Sequence, residues 1–468
     1  MKKYIGMDLG TSALKLILID EEKRILKSVS KEYPVFYPGE NRSEQKPEDW
    51  LKAVKSGLEE ICAGTDKSEI AGIGVGGQMH GLVMLDENDK VVRPAILWND
   101  TRTGKETEYL NNIIGKEKLQ SLTGNIAFAG FTAPKILWVR ENEPEIFARC
   151  KKICLPKDYI NYILTGVFST DVSDASGTLY FDVENRKWSQ EMLKIIGIDE
   201  SFLPQVFESG EVIGKTDILG LDCPVVAGAG DNAAAAIGTN TVNEGQCNIS
   251  LGTSGTVFIP TDRYVKTENP ALHSFCHANG KYHLMGCILS AASCNKWINE
   301  TVFDSLYNVT ADISGNTSPC DGLFFMPYLS GERCPHNDGD VKGALIGLTH
   351  AVSRKDIQKA VYEGVSFAIK DCVALCPEKI KFATVCGGGT KNRDWMQILS
   401  DILVIRLDII DNEGPALGAA LLAAGIQTQP DIKYSVSPNP ENIEYYEKKY
   451  IKFKKLYPIL KDFYREEK

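Results

Sequence analysis

The sequence predicts an α/β protein built from two domains of similar design. At 468 residues the chain is longer than a single hydrophobic core usually supports. Segments with strand spacing alternate with segments of helical spacing along the first half. The letters LGTS at residues 9–12 recur at 251–254, each time between two strand-like stretches. We therefore expect a boundary near residues 240–247, between a domain of residues 1–244 and one of residues 245–468.

The first elements follow from residue spacing. Residues 3–10 (KYIGMDLG) and 13–20 (ALKLILID) form two short apolar stretches around a glycine turn, which predicts a β-hairpin. Residues 46–64 (KPEDWLKAVKSGLEEICAG) have helical spacing and end at glycine. Residues 70–78 (IAGIGVGGQ) again predict a strand. Residues 382–403 (FATVCGGGTKNRDWMQILSDIL) predict a strand, a glycine turn and an amphipathic helix.

The composition excludes several classes of function. The net charge is −10 and the pI is about 5.3, without a dense run of Lys or Arg, which argues against nonspecific binding to nucleic acid. The first residues lack a signal-peptide core because Asp8 interrupts the apolar stretch, and no window is apolar enough to span a membrane. We therefore expect a cytoplasmic protein whose 13 cysteines are reduced thiols.

The two LGTS loops are candidate phosphate-binding loops. Glycine lets backbone amides approach an anion closely, and Thr and Ser hydroxyls donate further hydrogen bonds. Ordinary β-turns explain either loop alone. Together, Gly10, Thr11 and Ser12 in the first loop and Gly252 and Thr253 in the second predict a clamp on a polyphosphate.

Two charged residues flank the first loop. Lys15 lies four residues beyond Thr11 and is a candidate cation for phosphate. Asp8 stands at the mouth of the loop, where a carboxylate would repel phosphate unless it held Mg²⁺, directly or through water.

Residues 223–238 (CPVVAGAGDNAAAAIG) imitate a dinucleotide-binding fingerprint. The acidic residue that should follow about 20 positions later is missing, so we reject that interpretation. Asp231 and Asn232 begin an alanine-rich helix. Asp231 is either a helix N-cap or a carboxylate directed into a cleft.

A third glycine-rich turn follows the strand at 382–386. Gly387, Gly388 and Gly389 allow a flat group to lie against the backbone, and Asn392 offers an amide to its edge. The turn is therefore a candidate adenine site, or else a tight β–α connection.

Several segments, taken in chain order, make the chain resemble the FGGY family of carbohydrate kinases, within the actin-like ATPase superfamily. Residues 130–142 (GFTAPKILWVREN) and 343–364 (GALIGLTHAVSRKDIQKAVYEG) are similar to its two signature segments, and 327–336 (PYLSGERCPH) has the usual form. The resemblance implies an α/β fold of two actin-like (ribonuclease H-like) ATPase domains flanking a deep catalytic cleft. It also implies ATP with Mg²⁺, and phosphorylation of a sugar or polyol hydroxyl.

The resemblance also implies roles for individual residues. The two LGTS loops become the phosphate motifs, and the stretch CGGGTKN becomes the adenosine motif. Trp297 flanks the nucleotide. Asp231 matches the general base, and because the transition state of phosphoryl transfer is loose, an ordinary carboxyl pKa of about 3.9 is expected to suffice.

The stretch GQMHG at residues 77–81 points to the substrate. Its histidine could simply point outward from a strand end. However, the branch of the family that acts on glycerol has an Arg-Glu pair there, whereas the Met-His pair resembles the branch that acts on the ketopentose D-xylulose. A neutral His80 ring can both donate to and accept from vicinal sugar hydroxyls, and Met79 offers an adaptable apolar wall. Trp98, Asp100 and Asn232 are expected to line the same pocket.

The predicted activity is therefore ATP-dependent conversion of D-xylulose to D-xylulose 5-phosphate in pentose catabolism. A kinase for another ketose or polyol, such as ribulose or deoxyxylulose, is the nearest alternative. A non-enzymatic actin-like nucleotide switch is the second, and it would have no use for a sugar-directed His80 and Asp231. The expected partners are the sugar and ATP, with neither nucleic acid nor membrane; a homodimer is compatible with them.

Overall fold

A computed structural model describes residues 1–304, 321–411, 414–427 and 429–465. The strands, numbered in chain order, are β1 (Lys3–Leu9), β2 (Ala13–Asp20), β3 (Ile25–Glu32), β4 (Glu44–Gln45), β5 (Ile70–Gly77), β6 (Val83–Leu85), β7 (Ala95–Ile96), β8 (Lys152–Cys154), β9 (Ser169–Asp171), β10 (Phe181–Asp182), β11 (Lys187–Trp188), β12 (Gln205–Phe207), β13 (Val212–Thr216), β14 (Cys223–Val226), β15 (Ala229–Gly230), β16 (Gln246–Leu251), β17 (Gly255–Thr261), β18 (His273–Cys276), β19 (Tyr282–Ile288), β20 (Phe324–Met326), β21 (Ala344–Ile346), β22 (Phe382–Cys386), β23 (Arg406–Ile410) and β24 (Ile432–Val436).

The α-helices follow these strands singly or in runs, such as the four between β7 and β8. They are α1 (Pro47–Cys62), α2 (Gly104–Glu108), α3 (Lys116–Thr123), α4 (Thr132–Asn142), α5 (Pro144–Arg149), α6 (Pro156–Thr165), α7 (Val172–Ala175), α8 (Gln190–Ile196), α9 (Asp231–Gly238), α10 (Ala292–Trp297), α11 (Arg354–Ala374), α12 (Arg393–Leu403), α13 (Pro415–Ala424), α14 (Pro440–Phe453) and α15 (Leu456–Arg465).

The described residues form two seven-stranded sheets of the same design. The first has the order β13-β14-β5-β1-β2-β3, with β15 also pairing with β5. The second has the order β24-β23-β22-β16-β17-β19-β18. In both, the central strand pairs in parallel on one side (β1 with β5, β16 with β22) and in antiparallel fashion on the other (β1 with β2, β16 with β17). The two LGTS loops therefore join equivalent strands.

The predicted local elements are confirmed. Residues 3–9 and 13–20 form the expected hairpin, and the first helix covers Pro47–Cys62. The strand predicted at residues 70–78 is Ile70–Gly77. In the second half, Phe382–Cys386 and Arg393–Leu403 form the strand and amphipathic helix on either side of the triple glycine.

One helix from the second half of the sequence packs on the first sheet. Helix α13 lies against β1, β5 and α9. Its contact with α9 is backbone to backbone, because a Cβ added to Gly418 would lie 1.7 Å from the carbonyl oxygen of Ala234. Only glycine permits this approach.

We expect Gly418→Ala to destabilise the protein, since the new methyl group must push α13 away from α9. Overpacking of this kind typically costs about 1–3 kcal/mol. The free energy of unfolding, measured by denaturant titration, tests this. Gly104→Ala is the matched control, because a Cβ there meets nothing within 4 Å, and its change should stay within about 0.5 kcal/mol. A Gly418→Ala protein as stable as wild type would contradict the packing.

A second contact between the halves comes from the β18–β19 hairpin. Phe275, Cys276 and Met285 of this hairpin belong to the same buried cluster as Phe131 and Trp138 of the first half. The hairpin therefore forms one wall of the space between the sheets.

Two further expectations concern the whole chain. Within the described ranges, no helix combines the length and the apolar character needed to cross a membrane. The twelve cysteines that the structure describes are all free thiols, and ten of them are buried.

Candidate functional site

The predicted site residues follow the carboxyl ends of parallel strands. Asp8 and the first LGTS loop lie at the end of β1, Met79 and His80 just beyond β5, and Asp231 directly after β15. Because β5 pairs in parallel with both β1 and β15, these ends meet at one edge of the first sheet. The second LGTS loop and the triple glycine follow β16 and β22, another parallel pair, in the same way.

A first cavity of about 160 Å³ lies between the two halves. Five residues that the sequence analysis selected line it together: Met79, His80, Trp98, Asp231 and Asn232. Residues from positions 79 to 232 thus converge on one space. Their roles there stay predictions.

Apart from Ser254, which ends the second LGTS loop, the other lining residues were not predicted from the sequence. Phe128, Gly130 and Phe131 come from the first half. The second half contributes Ser254, Thr256, Met285, Cys287 and Arg333. Of these, Gly130 and Phe131 begin the segment GFTAPKILWVREN, and Arg333 lies in PYLSGERCPH. The motifs identify these residues, but only the fold shows that they line the cavity.

His80 is held in one orientation and one tautomer. Its Nδ1 lies 2.7 Å from the carbonyl oxygen of Gly177, which can only accept, so Nδ1 carries the proton and Nε2 is an acceptor. The ring stacks on Phe131 with a centroid distance of 4.6 Å. Burial lowers the pKa of His80 to about 3, so the ring is neutral near pH 7. His80 was expected both to donate to a ligand and to accept from it. With Nδ1 engaged by Gly177, only Nε2 is left for a ligand, and it accepts.

The backbone of His80 is also constrained. Its φ of +68° is in the left-handed region, which a residue with a side chain rarely adopts. The fully buried Lys135 donates from Nζ to the carbonyl oxygens of His80 (2.8 Å) and Gly130 (2.6 Å). Lys135 belongs to the signature segment GFTAPK, but nothing in that segment marks it as a support for His80.

Asp231 occupies the first turn of α9 as an acceptor. The N-cap is Gly230, so the N-cap interpretation of Asp231 is wrong. Oδ1 accepts from the backbone N–H of Asn232 (2.7 Å) and from its side-chain amide (2.9 Å), while Oδ2 has no hydrogen bond to any described residue. Burial has the larger effect on the pKa of Asp231 and raises it to about 6, although the two bonds from Asn232 lower it. The expected ordinary value of about 3.9 is therefore also wrong.

A buried network holds the backbone that leads to Asp231. The Gly230 N–H donates to the hydroxyl of Ser173 (3.1 Å), which in turn donates to Asp171 (2.5 Å). The fully buried Lys157 forms ion pairs with Asp171 (3.1 Å) and Asp158 (2.8 Å). Because these groups are buried and charged, they fix the end of β15.

Asp8 is the candidate metal ligand. It lies directly opposite Lys15 in the β1–β2 hairpin. Burial and the nearby Asp231 carboxylate raise the pKa of Asp8 to about 7, and Lys15 opposes this rise. A carboxylate whose ionisation is hindered by a neighbouring carboxylate suits a divalent cation, which would offset the repulsion. Within the described ranges, no cluster of three or more His, Cys, Asp or Glu could form a metal site made of protein ligands alone.

Three hydrogen bonds from two residues, Tyr33 and Trp98, hold the first phosphate loop in place. The hydroxyl of Tyr33 donates to the carbonyl of Gly10 (2.5 Å), and its backbone N–H donates to that of Ser12 (3.2 Å). The indole N–H of Trp98 donates to the hydroxyl of Thr11 (2.9 Å). Trp98 therefore touches both the first cavity and this loop.

Asp100 does not line the first cavity. It is fully buried, accepts from the backbone N–H of Ser43 (2.6 Å) and forms an ion pair with Arg102 (2.6 Å). In this structure it anchors a loop, in contrast to the expected position on a pocket wall.

A second cavity of about 380 Å³ adjoins the second loop. The predicted residues Gly252, Thr253 and Gly388 line it together with Ala292, Ser293, Lys296 and Lys391. The Thr253 carbonyl accepts from the N–H of Ala291 (2.9 Å) and the hydroxyl of Ser293 (2.7 Å), which fixes the loop to the start of α10. The cavity therefore combines backbone amides with two lysines, a combination suited to phosphate.

The remaining predicted nucleotide residues lie around this cavity. Gly387 and Gly389 flank Gly388, and a Cβ on either would come within 3.0 Å of Leu251. Asn392 is buried and caps α12, accepting from Trp395 N–H (2.8 Å) and donating to the hydroxyl of Tyr362 (3.1 Å). Trp297 ends α10 and is 38% exposed, but it does not line the cavity.

Comparison with known proteins gives concordant matches along the chain. Models of the N-terminal and C-terminal domains of the FGGY family of carbohydrate kinases match residues 3–238 and 247–425. The chain is 40% identical over 435 residues to the xylulose kinase of Escherichia coli K12, covering 90% of this chain and 89% of that one. It is also 40% identical over 488 residues to the xylulose kinase of Lactococcus lactis, covering 98% and 97%. A crystal structure described as a xyloylose kinase from Brucella ovis matches with a TM-score of 0.93 and 37% identity, covering 98% of this chain and 100% of that one. The expected fold class, with two actin-like α/β domains, is confirmed.

Proposed function

Because the chain belongs to the FGGY family of carbohydrate kinases, we propose that it transfers the terminal phosphoryl group of ATP to D-xylulose, forming D-xylulose 5-phosphate and ADP. The observation that carries this proposal is the convergence of Met79, His80 and Asp231 on the first cavity. The relatives described as xylulose kinases support the choice of sugar. We assign residues 1–244 to the half that binds the sugar and residues 245–468 to the half that binds the nucleotide.

In this proposal Asp231 is the general base. Its Oδ1 is occupied by Asn232, which leaves Oδ2 for the terminal hydroxyl of the sugar. The hydroxyl oxygen attacks the γ-phosphorus, the bond from that phosphorus to the bridging oxygen of ADP breaks, and the hydroxyl proton passes to Asp231. The raised pKa of Asp231 makes it a better proton acceptor than an ordinary carboxylate.

The remaining lining residues would orient the sugar. The His80 Nε2, whose tautomer makes it an acceptor, receives a hydrogen bond from a sugar hydroxyl. Met79 and Phe131 cover the carbon face, and Trp98 closes the side next to the first phosphate loop. A sugar that fills this cavity would displace water from it, which limits wasteful hydrolysis of ATP.

ATP would lie between the two LGTS loops, with its phosphates on the amides of the second loop and near Lys296 and Lys391. Asp8 would hold Mg²⁺, directly or through water. When bound, the ion supplies charge neutralisation for the phosphates. Gly388 and its neighbours would place the adenine.

The direct test is ADP release with D-xylulose, D-ribulose, 1-deoxy-D-xylulose, xylitol and glycerol, each beside a reaction without sugar. We expect D-xylulose to give the highest kcat/KM. If a polyol or another ketose gives the highest kcat/KM instead, the substrate assignment is wrong but the phosphoryl-transfer reaction stands. Equal ADP release with and without every sugar would instead favour an actin-like nucleotide switch.

We expect His80→Ala to lower kcat/KM for D-xylulose by at least about tenfold, because the sugar hydroxyl that donates to Nε2 of His80 would lose its partner in a partly enclosed cavity. The KM for ATP should change little. His350→Ala is the control, since His350 is exposed and outside both cavities. If His80→Ala keeps the wild-type preference for D-xylulose over other sugars, His80 has only a structural role.

The pH dependence should report the pKa of Asp231. The base acts only when ionised, and because burial raises its pKa to about 6, activity is lost as the pH falls through about 6. At pH 5 only about a tenth of the base is ionised, so kcat/KM should be roughly tenfold lower than its plateau. His80, with a pKa of about 3, adds no limb in this range. Asp8, whose pKa is raised to about 7, would titrate here as well, so the profile is measured at saturating Mg²⁺, which would keep Asp8 ionised. A profile that stays flat from pH 7 to pH 5 would be incompatible with this base.

A further inference from the structure

Arg333 is a charged residue of the first cavity that the mechanism above does not use. It lies in the second half of the chain, three residues before His336, and lines the cavity beside Phe128 and His80. Its guanidinium forms no ion pair and no side-chain hydrogen bond with any described residue. Instead it lies over the ring of Phe128, 5.3 Å from the centroid. A cation in a partly enclosed cavity without a counter-ion is unusual, because charge is costly to remove from water.

The backbone around Arg333 is firmly held. Its N–H donates to Oε1 of Glu332 (2.8 Å), and the N–H of Leu289 donates to the same oxygen (3.1 Å). The next residue, Cys334, donates its N–H to the carbonyl of Cys287 (3.0 Å), another cavity residue. Arg333 is thus anchored on the second half while its head rests on a ring of the first half. Its position is prepared before any ligand binds.

Arg333 lies towards the His80 end of the cavity. The ring of Phe128, over which the guanidinium lies, packs edge-on against Phe131 with a centroid distance of 5.3 Å, and Phe131 stacks on His80 at 4.6 Å. The positive charge of Arg333 accordingly adds to burial in lowering the pKa of His80. The start of α9 that carries Asp231 instead adjoins Met79, because a Cβ added to the neighbouring Gly230 would lie 2.9 Å from Cγ of Met79. A sugar whose terminal hydroxyl meets Asp231 would therefore direct its other end towards Arg333.

We propose that Arg333 is a specificity-determining residue that binds the oxygens at the end of the substrate opposite the phosphorylated hydroxyl. This inference rests on the proposed function. A guanidinium only donates hydrogen bonds, so it favours carbonyl and carboxylate oxygens over hydroxyls, which must also place a proton. The residue therefore selects ketoses over polyols. It also makes aldonates, which carry a carboxylate at that end, a further class of ligand and phosphoryl acceptor.

Three five-carbon compounds test this assignment: D-xylulose, xylitol and D-xylonate share the carbon chain from C3 to C5 and differ at the end that would face Arg333. In the wild-type protein we expect D-xylonate to be phosphorylated with a higher kcat/KM than xylitol. In Arg333→Met the KM for D-xylulose should rise at least about tenfold, and the advantage of D-xylonate over xylitol should disappear. Arg333→Lys, which keeps the charge but not the planar fork, should lie between the two.

Arg354→Met is the matched control, because Arg354 also lies over an aromatic ring, that of Phe303, but is exposed and outside the cavity. Arg354→Met should keep the wild-type kcat/KM for D-xylulose, for xylitol and for D-xylonate. A purely structural role for Arg333 would lower activity on all three compounds equally and leave their order unchanged. That result, or an unchanged KM for D-xylulose in Arg333→Met, would overturn the assignment.

The outcome is separable from the proposed function. If the wild-type protein does not phosphorylate D-xylulose, the proposed function fails, yet thermal stabilisation by D-xylonate without ATP still tests the contact. We expect D-xylonate to raise the melting temperature of the wild-type protein and of Arg354→Met but not of Arg333→Met. If Arg333→Met does not fold, the same comparison is made with Arg333→Lys, for which we expect a smaller rise. Equal rises in the wild-type protein and in the Arg333 variant that folds would refute the contact.

Discussion

Asp231→Asn is expected to reduce kcat for sugar phosphorylation by about 10²–10⁴-fold while the protein stays folded and binds both substrates. An asparagine cannot take a proton near pH 7, and loss of a general base typically costs this much. Its side-chain oxygen can still accept from the N–H and the amide of Asn232, so the start of α9 keeps its geometry.

Stability separates the catalytic role of Asp231 from a structural one. A carboxyl whose folded-state pKa is raised makes folding less favourable when it ionises, so Asp231 costs stability above its unfolded pKa. Replacing it with a neutral amide should therefore leave the melting temperature equal or higher near pH 7.

The measurement is melting temperature and sugar-dependent ADP release on one preparation. D-xylulose should still raise the melting temperature of Asp231→Asn. Asp217→Asn, an exposed aspartate at another helix start, is the control and should behave as wild type. A stable Asp231→Asn protein with more than about a tenth of normal turnover would rule out Asp231 as the base, since even weak general-base catalysis contributes more.

Thr253→Val is expected to raise the KM for ATP by roughly 10- to 150-fold with little change in sugar binding. Thr253 lines the second cavity, and its hydroxyl makes no hydrogen bond to any described residue. Loss of a hydrogen bond to a charged phosphate costs about 1.5–3 kcal/mol. A valine at this position keeps the backbone carbonyl that accepts hydrogen bonds from Ala291 and Ser293, so the conformation of the loop should not change.

Thr253→Ser keeps the hydroxyl and is the matched control, which should retain most of the ATP affinity. Thr11→Val tests the other loop, and we expect it to weaken ATP use in the same range. Its hydroxyl also accepts from Trp98, so this variant should disturb the first cavity as well. Wild-type ATP kinetics in both valine variants would contradict the two-loop clamp.

Both LGTS hairpins could be predicted because their signals are local. A glycine turn between alternating apolar stretches determines a hairpin from a dozen neighbouring residues, and the structure has Lys3–Leu9 with Ala13–Asp20, and Gln246–Leu251 with Gly255–Thr261. The start of α9 at Asp231 could be predicted for the same reason. The role of the Met79–His80 pair in binding sugar could be predicted only from the family resemblance, because nothing in the local sequence distinguishes the pair from an ordinary strand end.

Asp100 and Asn392 show where local signals end. Asp100 was expected at the pocket wall but is neutralised by Arg102 and the N–H of Ser43, a partner 57 positions away. Asn392 was expected at the adenine but caps the helix that follows it. Polar residues next to a motif have several uses, and spacing alone does not choose between them.

By itself, therefore, the sequence determined the repeated strand–loop–strand design, the order of the motifs and the family. These depend on glycine turns and on periodicity, which act over neighbouring residues. Tertiary structure alone decided the raised pKa of Asp231, the tautomer of His80 set by Gly177, the bond from Trp98 to Thr11, and the place of Arg333 in the cavity. Each of these depends on burial or on distances between residues far apart in the chain, which only the packing of the two halves establishes.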